Sequence, residues 1–213
     1  MARYTEAVCR KCRRAGKKLY LKGTRCYTPK CSVEKHPTPP GAMSGAQKHG
    51  RPAKPSEYGL QLREKQNCRF AYGVLETQFR RYIKEAQRQR GATGEVLLQQ
   101  LERRLDNVVY RAGFAPGRAA ARQMVRHRHI SVNGRVVDIP AFLVQVDDVV
   151  EVRPASRAKG IFSQTGGLPA SPPPAGWLAV EPDQFRATVS SLPARDQIAT
   201  DIDEARIVEY YAR

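Results

Sequence analysis

The sequence predicts an α+β protein with a mostly helical first domain, an N-terminal metal knuckle built from four cysteines, and an inserted α/β module of two helices packed on a small, mainly antiparallel sheet. Three observations predict it. Apolar residues recur at helical spacing between residues 56 and 127. Short apolar strands flank an Asn-Gly turn in residues 130–152. Two close pairs of cysteines lie near the N-terminus.

The cysteine pairs predict a metal site. Cys9, Cys12, Cys26 and Cys31 have the spacing of a tetrahedral thiolate site, in a segment too short and too charged to fold by hydrophobic burial alone. A structural zinc ion contributes roughly 10–16 kcal/mol of apparent binding free energy in such segments. Zn²⁺ is therefore the expected cofactor, and an iron–sulfur cluster also fits four cysteine ligands. Two disulfides or a redox dithiol are weaker alternatives. Cys68, among apolar residues, is expected in the core.

The first helices follow a basic Gly/Pro-rich linker, residues 36–55. Ser56 is expected to cap a helix that ends at Gly73. A second helix is expected to bury Leu75, Phe79, Tyr82, Ile83 and Ala86 and to expose Arg80, Arg81, Lys84 and Arg88. Thr93 is expected to cap a third helix, continuous to Val109, with an inward stripe of Val96, Leu97, Leu101, Leu105, Val108 and Val109.

The remaining elements are shorter. Residues 117–127 predict a helix with Ala121, Met124 and Val125 inward, and Asn133-Gly134 predicts a type I′ turn in a hairpin. Residues 142–146 and 149–152 predict two further strands. Residues 154–175 are expected to form a second linker. A short terminal helix is expected to bear Ile207, Val208 and Tyr211.

The charge of the chain points to an anionic partner. The net charge is +17, distributed as +9 over residues 1–35, +6 over 36–100, +3 over 101–153 and −1 over 154–213. Nucleic acid is the commonest partner of such a protein. No apolar run is long enough to span a bilayer, and no apolar signal region opens the chain, so we expect a cytoplasmic protein. A membrane-surface protein is a weaker alternative, because no basic amphipathic helix is evident.

An arginine array in the predicted module is the candidate RNA-binding surface. Arg118, Arg122 and Arg126 recur every fourth residue, and the sequence between Asp106 and Asp138 contains no acid to pair with them. Arginine suits phosphate because its planar fork makes two parallel hydrogen bonds. The expected RNA-binding residues of the module are Arg104, Asn107, Arg111, Arg118, Arg122, Arg126, His127, His129, Asn133 and Arg135. Asp106 is expected to form an ion pair that anchors its helix.

Further RNA-binding residues are expected in the basic N-terminal half. They are Arg3, Arg10, Lys11, Arg13, Arg14, Lys18, Lys22, Arg25, Lys30, Lys48, His49, Arg51, Lys54, Arg63, Lys65 and Arg69.

Ordered motifs over most of the chain resemble the bacterial small-subunit ribosomal protein S-four family in its four-cysteine form. The resemblance is carried by Met1–Tyr4, Leu19–Gly23, Pro39–Gly41, Leu62–Gln66, Tyr72-Gly73, Gln78–Arg80, Arg104–Phe114, Ala121–Gln123, Val132–Gly134, Gly176–Leu178, Leu192-Pro193 and Glu209–Arg213. The chain departs from the family where His127-Arg128-His129 replaces His-Gly-His and where Asp147-Asp148 replaces Gly-Asp.

The resemblance implies a role and an organisation. Family members are structural constituents of the small ribosomal subunit. They bind the 5′ domain of 16S rRNA directly, nucleate assembly, and border the mRNA entrance with ribosomal proteins S-five and S-three, where they influence translational accuracy. Some repress their own mRNA. The implied domains are a metal-binding segment 1–35, a linker 36–55, a helical domain 56–95 completed by 191–213, and an inserted RNA-binding module 96–190 that contains the loop 154–175.

Two other functions compete with this interpretation. RNA-modifying pseudouridine synthases carry a similar module and use an aspartate in an Arg-Leu-Asp context. Arg104-Leu105-Asp106, however, lies inside the module, and no separate catalytic domain remains, so we expect no enzyme activity. A zinc-bearing DNA-binding regulator needs a recognition helix and a dimer interface, and neither is evident.

Overall fold

The computed structural model describes Tyr4 and residues 6–41, 55–158, 175–198 and 201–212. The chain divides into two compact units, Met1–Arg80 with Asp201–Arg213, and Arg81–Thr200. The sequence predicts the corresponding divisions near residues 95 and 191. The expected α+β class is confirmed, because helices accompany a small antiparallel sheet.

The cysteine-bearing segment contains only short elements of regular structure. Helix α1 spans Cys9–Ala15 and ends at Gly16, whose φ of 73° is left-handed and favours glycine. A 3₁₀ turn, Gly23–Tyr27, and helix α2, Ser32–Lys35, follow. Lys17 joins the segment to the rest of its unit, because its Nζ lies 3.0 Å from Glu64 Oε1 and 2.6 Å from the Asp201 carbonyl oxygen.

The two helices that follow the first linker match the prediction closely, apart from Leu75. Helix α3 spans Glu57–Ala71, and the Ser56 side chain accepts a hydrogen bond from the Gly59 N–H, as expected of its cap. Cys68 is fully buried, as predicted. Helix α4 spans Glu76–Arg88 and buries Phe79, whereas Leu75, predicted inward, precedes the helix and is exposed.

The C-terminal helix belongs to this first unit. Helix α9, the last in the described chain, spans Glu204–Tyr211 and packs on α3 through Gln61, which donates to Glu209 over 2.9 Å. Its Tyr211 hydroxyl donates to Glu76 over 2.9 Å. Ile207 is completely buried. The predicted terminal helix is therefore confirmed.

The predicted third helix is interrupted, which corrects the sequence-based expectation. Helix α5 spans Thr93–Glu102 and helix α6 spans Leu105–Arg111. Between them Arg104 is extended, and the N–H of Leu105 donates to the Phe142 carbonyl over 2.8 Å. The main chain here pairs with a loop instead of continuing the helix. Thr93 is the first helical residue, and Ala92 takes the cap position without a side-chain hydrogen bond.

The second unit completes its module with a helix and a sheet. Helix α7 spans Arg118–Arg126 and buries Ala121, Met124 and Val125, as predicted. The described strands are β1, Ile130–Val132; β2, Arg135–Val136; β3, Val149–Val152; β4, Leu178–Glu181; and β5, Arg186–Val189. They form an antiparallel sheet in the order β2-β1-β3-β5-β4, with Val132 opposite both Arg135 and Val150.

Two turns shape this sheet. Asn133 and Gly134 have φ of 49° and 77°, as the predicted Asn-Gly hairpin requires. The strand predicted at 142–146 is wrong, because only Leu143 makes a bridge there, to Arg104. Residues 154–157 form a short helix, α8, within the predicted second linker. Residues 159–174 of that linker lie outside the described chain.

Helices and sheet enclose an aliphatic core in the second unit. Leu105, Val109, Met124, Val150 and Trp177 are at most 1% exposed within it. Trp177 is the only tryptophan of the chain, so it reports on this core alone. Within the described ranges, no helix combines the length and apolar character needed to cross a membrane.

Candidate nucleic-acid interface

One buried carboxylate holds two arginines at the start of α6. Asp106 accepts bonds from Arg104 over 3.0 and 2.6 Å, and Arg122 Nη1 reaches the same carboxylate over 3.1 Å. Arg104 is completely buried and also donates to the Tyr82 hydroxyl over 2.7 Å. Burial opposes the charged form of Arg104. The neighbouring Asp106 carboxylate outweighs this effect, so the pKa of Arg104 is raised. The expected anchoring role of Asp106 is confirmed.

A second buried carboxylate repeats this arrangement at the end of α5. Glu102, completely buried, accepts bonds from Arg111 over 2.9 and 2.7 Å and from the Asn107 amide over 2.8 Å. Arg118 Nη2 lies 4.0 Å from Glu102 Oε1, and its Nε donates to Asn107 Oδ1 over 2.7 Å. Each carboxylate therefore pairs with two guanidinium groups, an inner one and an outer one.

The two clusters correct part of the sequence-based site. Arg104, Asn107 and Arg111 are at most 4% exposed and bonded within the module, so they lack the surface needed to contact phosphate. The expectation that the arginines have no acidic partner is also wrong, because Asp106 and Glu102 reach them from the preceding helices. Each cluster has a net charge of +1, and the outer arginines, Arg118 and Arg122, remain partly accessible, with 12% and 14% of their side chains exposed.

The end of α7 and the hairpin extend this cationic surface. Arg126, His127 and Arg135 are exposed. His129 is half-buried, with Nδ1 3.0 Å from the Ser156 hydroxyl. Asn133 is exposed but is used structurally, because its amide N–H donates to Asp148 over 2.7 Å and its amide oxygen accepts from the Val149 N–H over 2.8 Å.

Arg128 adds to the surface at an energetic cost. Its φ of 60° is left-handed, which is unfavourable for a residue with a Cβ. Its guanidinium is largely exposed and lies 3.3 Å from Asp138. Asp147, the other position where the family commonly has glycine, is also left-handed, with a φ of 68°. Both substitutions therefore keep the backbone conformation that a glycine would adopt.

Sequence reasoning did not include Arg128 or Glu102 in the site. The only signal of the left-handed backbone at Arg128 is the glycine that the family commonly has at this position. Glu102 could have been found, because it lies four residues after Leu98 and three before Leu105, and both leucines are buried. A carboxylate on such a stripe needs a cationic partner, and four arginines lie nearby in sequence.

The N-terminal cations differ in how they are used. Arg10, Arg14, Lys22, Arg25, Lys30 and Arg63 are exposed, whereas Lys11, Arg13 and Lys18 are half-buried. Arg13 donates to the Thr38 carbonyl over 3.0 Å, Arg25 to the Lys30 carbonyl over 3.1 Å, and Lys18 pairs with Glu34. The remaining predicted residues, Arg3, Lys48, His49, Arg51 and Lys54, lie outside the described residues.

Lys65 and Arg69 serve the packing of the first unit. Lys65 is 3% exposed and lies 2.9 Å from Glu76 Oε2, while Arg69 lies 3.3 Å from the same oxygen. Burial works to raise the pKa of Glu76, but bonds from Lys65 and Tyr211 outweigh it and hold that pKa below its ordinary value. Lys65 is therefore not one of the surface cations.

The four N-terminal cysteines gather in one region, and none of them forms a disulfide. Cys12, Cys26 and Cys31 are each 6% exposed and Cys9 is half-buried. Burial raises the pKa of Cys12 and of Cys26, and each of these two thiols interacts electrostatically with other members of the group. The backbone N–H groups of Leu19 and Lys22 bond to Cys12 and Cys26, the latter over 3.3 Å.

This donor set fits a thiophilic metal by its chemistry. Buried thiols with N–H···S bonds and nearby cations suit a tetrathiolate site, whose formal charge is negative. As the side chains are oriented, no three Cys, His, Asp or Glu residues in the described part of the chain converge closely enough to hold an ion.

Comparisons with known proteins cover both units. Residues 3–102 match the family described as Ribosomal protein S4/S9 N-terminal domain, and residues 103–150 match the S4 domain. Small ribosomal subunit protein uS4A of Symbiobacterium thermophilum is 55% identical over 213 residues, and uS4 of Pelotomaculum thermopropionicum is 54% identical over 213 residues. The uS4 protein of Acidothermus cellulolyticus is 54% identical over 217 residues. Each alignment spans 100% of both chains.

Proposed function

The chain belongs to the ribosomal protein S4 family, and we propose that it binds 16S rRNA as a structural constituent of the small ribosomal subunit. The family consists of structural proteins, and the chain is accordingly not an enzyme. Its place of action is the cytoplasmic ribosome. The finer proposal is that it recognises the 5′ domain of 16S rRNA and nucleates assembly.

The observation that carries the RNA-binding proposal is the pair of arginine clusters. In each, a buried carboxylate orients an inner arginine and leaves an outer one, Arg118 or Arg122, near the surface. Arginines fixed in this way lose less conformational entropy on binding a phosphate than mobile side chains do. Together with the exposed Arg126, Arg128 and Arg135, they provide a cationic surface for the backbone of folded RNA.

Binding to a folded RNA fragment tests this function. The full chain should bind a 5′-domain fragment of 16S rRNA more tightly than a central-domain fragment of equal length, at the same salt concentration. Equal affinity for both fragments would contradict recognition of the 5′ domain. A protein that bound neither, and that failed to co-sediment with small subunits, would contradict the ribosomal role itself.

The neighbouring proteins S-five and S-three are further proposed partners, and the mRNA path at their junction is the proposed site of influence on accuracy. What supports this is family membership. Crosslinking of the full chain within assembled small subunits should recover peptides of both proteins. Recovery of other neighbours only would contradict these two partners.

A structural metal is the second proposal. Cys9, Cys12, Cys26 and Cys31 would hold Zn²⁺ as thiolates, and the ion would link α1 to the turn that follows it. The bound ion supplies folding free energy and no catalysis. Elemental analysis of purified protein should find about one zinc per chain, as expected of a single tetrathiolate site. Iron with visible charge-transfer absorption would favour the cluster, and four titratable thiols without either metal would contradict the site.

A further inference from the structure

A cleft between α1 and α3 is not explained by the arginine clusters. It lies entirely within the first unit and has a volume of about 380 Å³. Lys11 and Arg14 line it from α1, and Leu62, Arg63, Gln66 and Phe70 line it from α3. A volume of this size is at the small end of ligand sites, so the cleft suits one small group and not a helix or a duplex.

The rim of the cleft is cationic. None of Lys11, Arg14 and Arg63 forms an ion pair with an acid in the described part of the chain. Lys11 instead lies with its Nζ 4.4 Å from the centroid of the Tyr4 ring and 4.5 Å from that of the Phe70 ring, and the guanidinium carbon of Arg69 lies 4.9 Å from the same Phe70 centroid. Three cations around one opening favour an anionic ligand.

The interior of the cleft differs from its rim, because it contains apolar groups and a hydrogen-bond acceptor. Phe70 supplies an aromatic ring and Leu62 an aliphatic wall. Gln66 Oε1 is buried and has no hydrogen-bond partner among the described residues, which is costly for a polar atom. Gln66 is one of the residues that line the cleft, so a ligand bound there can supply the missing partner. The acceptor requires an N–H or O–H donor, which a phosphate diester lacks.

Together these groups match a nucleotide, which joins a flat aromatic base with N–H donors to an anionic phosphate. We propose that the cleft receives one unpaired nucleotide of the RNA, with its base on the side formed by Leu62 and Phe70, its N–H edge on Gln66 and its phosphate at the rim, near Arg14 and Arg63. Sequence-specific recognition of RNA uses such splayed-out bases, stacked on aromatic rings and hydrogen-bonded at their edges. The inference rests on the proposed rRNA-binding function and adds a base-reading contact to it.

Footprinting of full-length protein on folded 16S rRNA tests the proposal. Base-specific reagents should show one unpaired nucleotide whose Watson–Crick edge is protected by the wild-type protein. Gln66→Met preserves the length of the side chain and removes its acceptor, and Phe70→Leu removes the ring. Each should expose that nucleotide again, leave the remaining footprint unchanged, and weaken binding about 10-fold, the size of roughly 1.4 kcal/mol.

The matched control is Gln87→Met, the same substitution at an exposed position of α4. It should retain the protection at wild-type affinity. Thermal melting checks that the Phe70→Leu variant still folds. If that variant is unfolded, the result for Gln66→Met alone decides the proposal.

Two results would overturn the proposal while leaving the rRNA-binding function intact. In one, Gln66→Met and Phe70→Leu give the wild-type footprint and affinity. In the other, Lys11→Met and Arg63→Met weaken binding while the Gln66 and Phe70 variants do not, which identifies a phosphate site without base contact. A wild-type protein without any footprint contradicts the proposed function itself.

Discussion

The second-unit module and the cysteine segment both carry exposed positive charge, but they differ in the buried side chains beneath it. The module encloses an aliphatic core around Trp177 and fixes its arginines with the buried carboxylates Asp106 and Glu102. In the cysteine segment, residues 9–31, the buried side chains are Cys12, Leu19, Cys26 and Cys31. The module therefore has an aliphatic core, whereas three of the four buried side chains of the segment are thiols, as the proposed metal site requires.

Metal removal is expected to produce the largest difference between the two regions. A chelator should abolish hydrogen-exchange protection in residues 9–31 and leave residues 105–152 protected, because a structural zinc contributes roughly 10–16 kcal/mol of apparent free energy. Cys12→Ser should do the same without a chelator. Cys68→Ala, which removes a buried cysteine of α3, is the control and should leave that segment protected. Equal loss of protection in both regions would contradict the proposal that the metal stabilises the cysteine segment and not the module.

Loss of a buried carboxylate is expected to have the next largest effect, in the module. Asp106→Asn leaves the buried Arg104 without its counter-charge, which should lower the free energy of unfolding by about 3–5 kcal/mol. The measurement is urea denaturation followed by Trp177 fluorescence. Asp138→Asn, whose partner Arg128 is largely exposed, is the matched control and should cost no more than about 1 kcal/mol. Equal costs would show that Asp106 does not hold the module together.

The outer arginines should separate binding from folding. Changing Arg118 and Arg122 together to Ala leaves the bidentate pairs Arg104–Asp106 and Arg111–Glu102 in place. The double variant should bind the 5′-domain fragment about 10-fold or more weakly, because each charge-assisted bond is worth roughly 1.5–3 kcal/mol, and it should still unfold cooperatively. Unchanged affinity would remove both arginines from the interface.

Arg128 is expected to exchange stability for affinity. Arg128→Gly removes a left-handed strain of roughly 1–2 kcal/mol, of which the chain entropy of glycine offsets roughly 0.5–1 kcal/mol, so the free energy of unfolding should rise by about 0.5–1 kcal/mol. The same change should weaken RNA binding, because a cation is lost. Asp147→Gly relieves the same backbone conformation and is the control, since it should stabilise the module without weakening binding. Binding weakened equally by both changes would point to the backbone and not to the Arg128 charge.

The smallest effect concerns pH and the docking of α9. Because the pKa of Glu76 is depressed in the folded protein, its contribution to stability is present above the ordinary value of 4.5 and is lost as pH falls through the depressed pKa. Melting temperatures at about pH 6 and about pH 3.5 should therefore differ more for wild type than for Glu76→Gln. The same pH dependence in both would exclude Glu76 as the source.

The sequence predicted the elements that depend on local chemistry and missed those that depend on distant contacts. The Ser56 cap and the Asn133-Gly134 turn follow from residue preferences, and both are confirmed. The break before α6 could not be predicted, because apolar spacing continues through it and the competing hydrogen bond comes from Phe142. The burial of Arg104 was missed for the same reason, since its position alone does not distinguish an inner from an outer arginine.

Arg118 and Arg122, the outer arginines held by Glu102 and Asp106, are proposed to bind the RNA backbone by neutralising phosphates. The affinity of the full chain for the 5′-domain fragment, measured over a salt series, tests this most directly. With about six or more phosphate contacts, the affinity should fall by about 10³-fold or more between roughly 50 and 200 mM salt, and the slope should be shallower for the Arg118 and Arg122 double variant. A wild-type affinity that did not change with salt would contradict the claim.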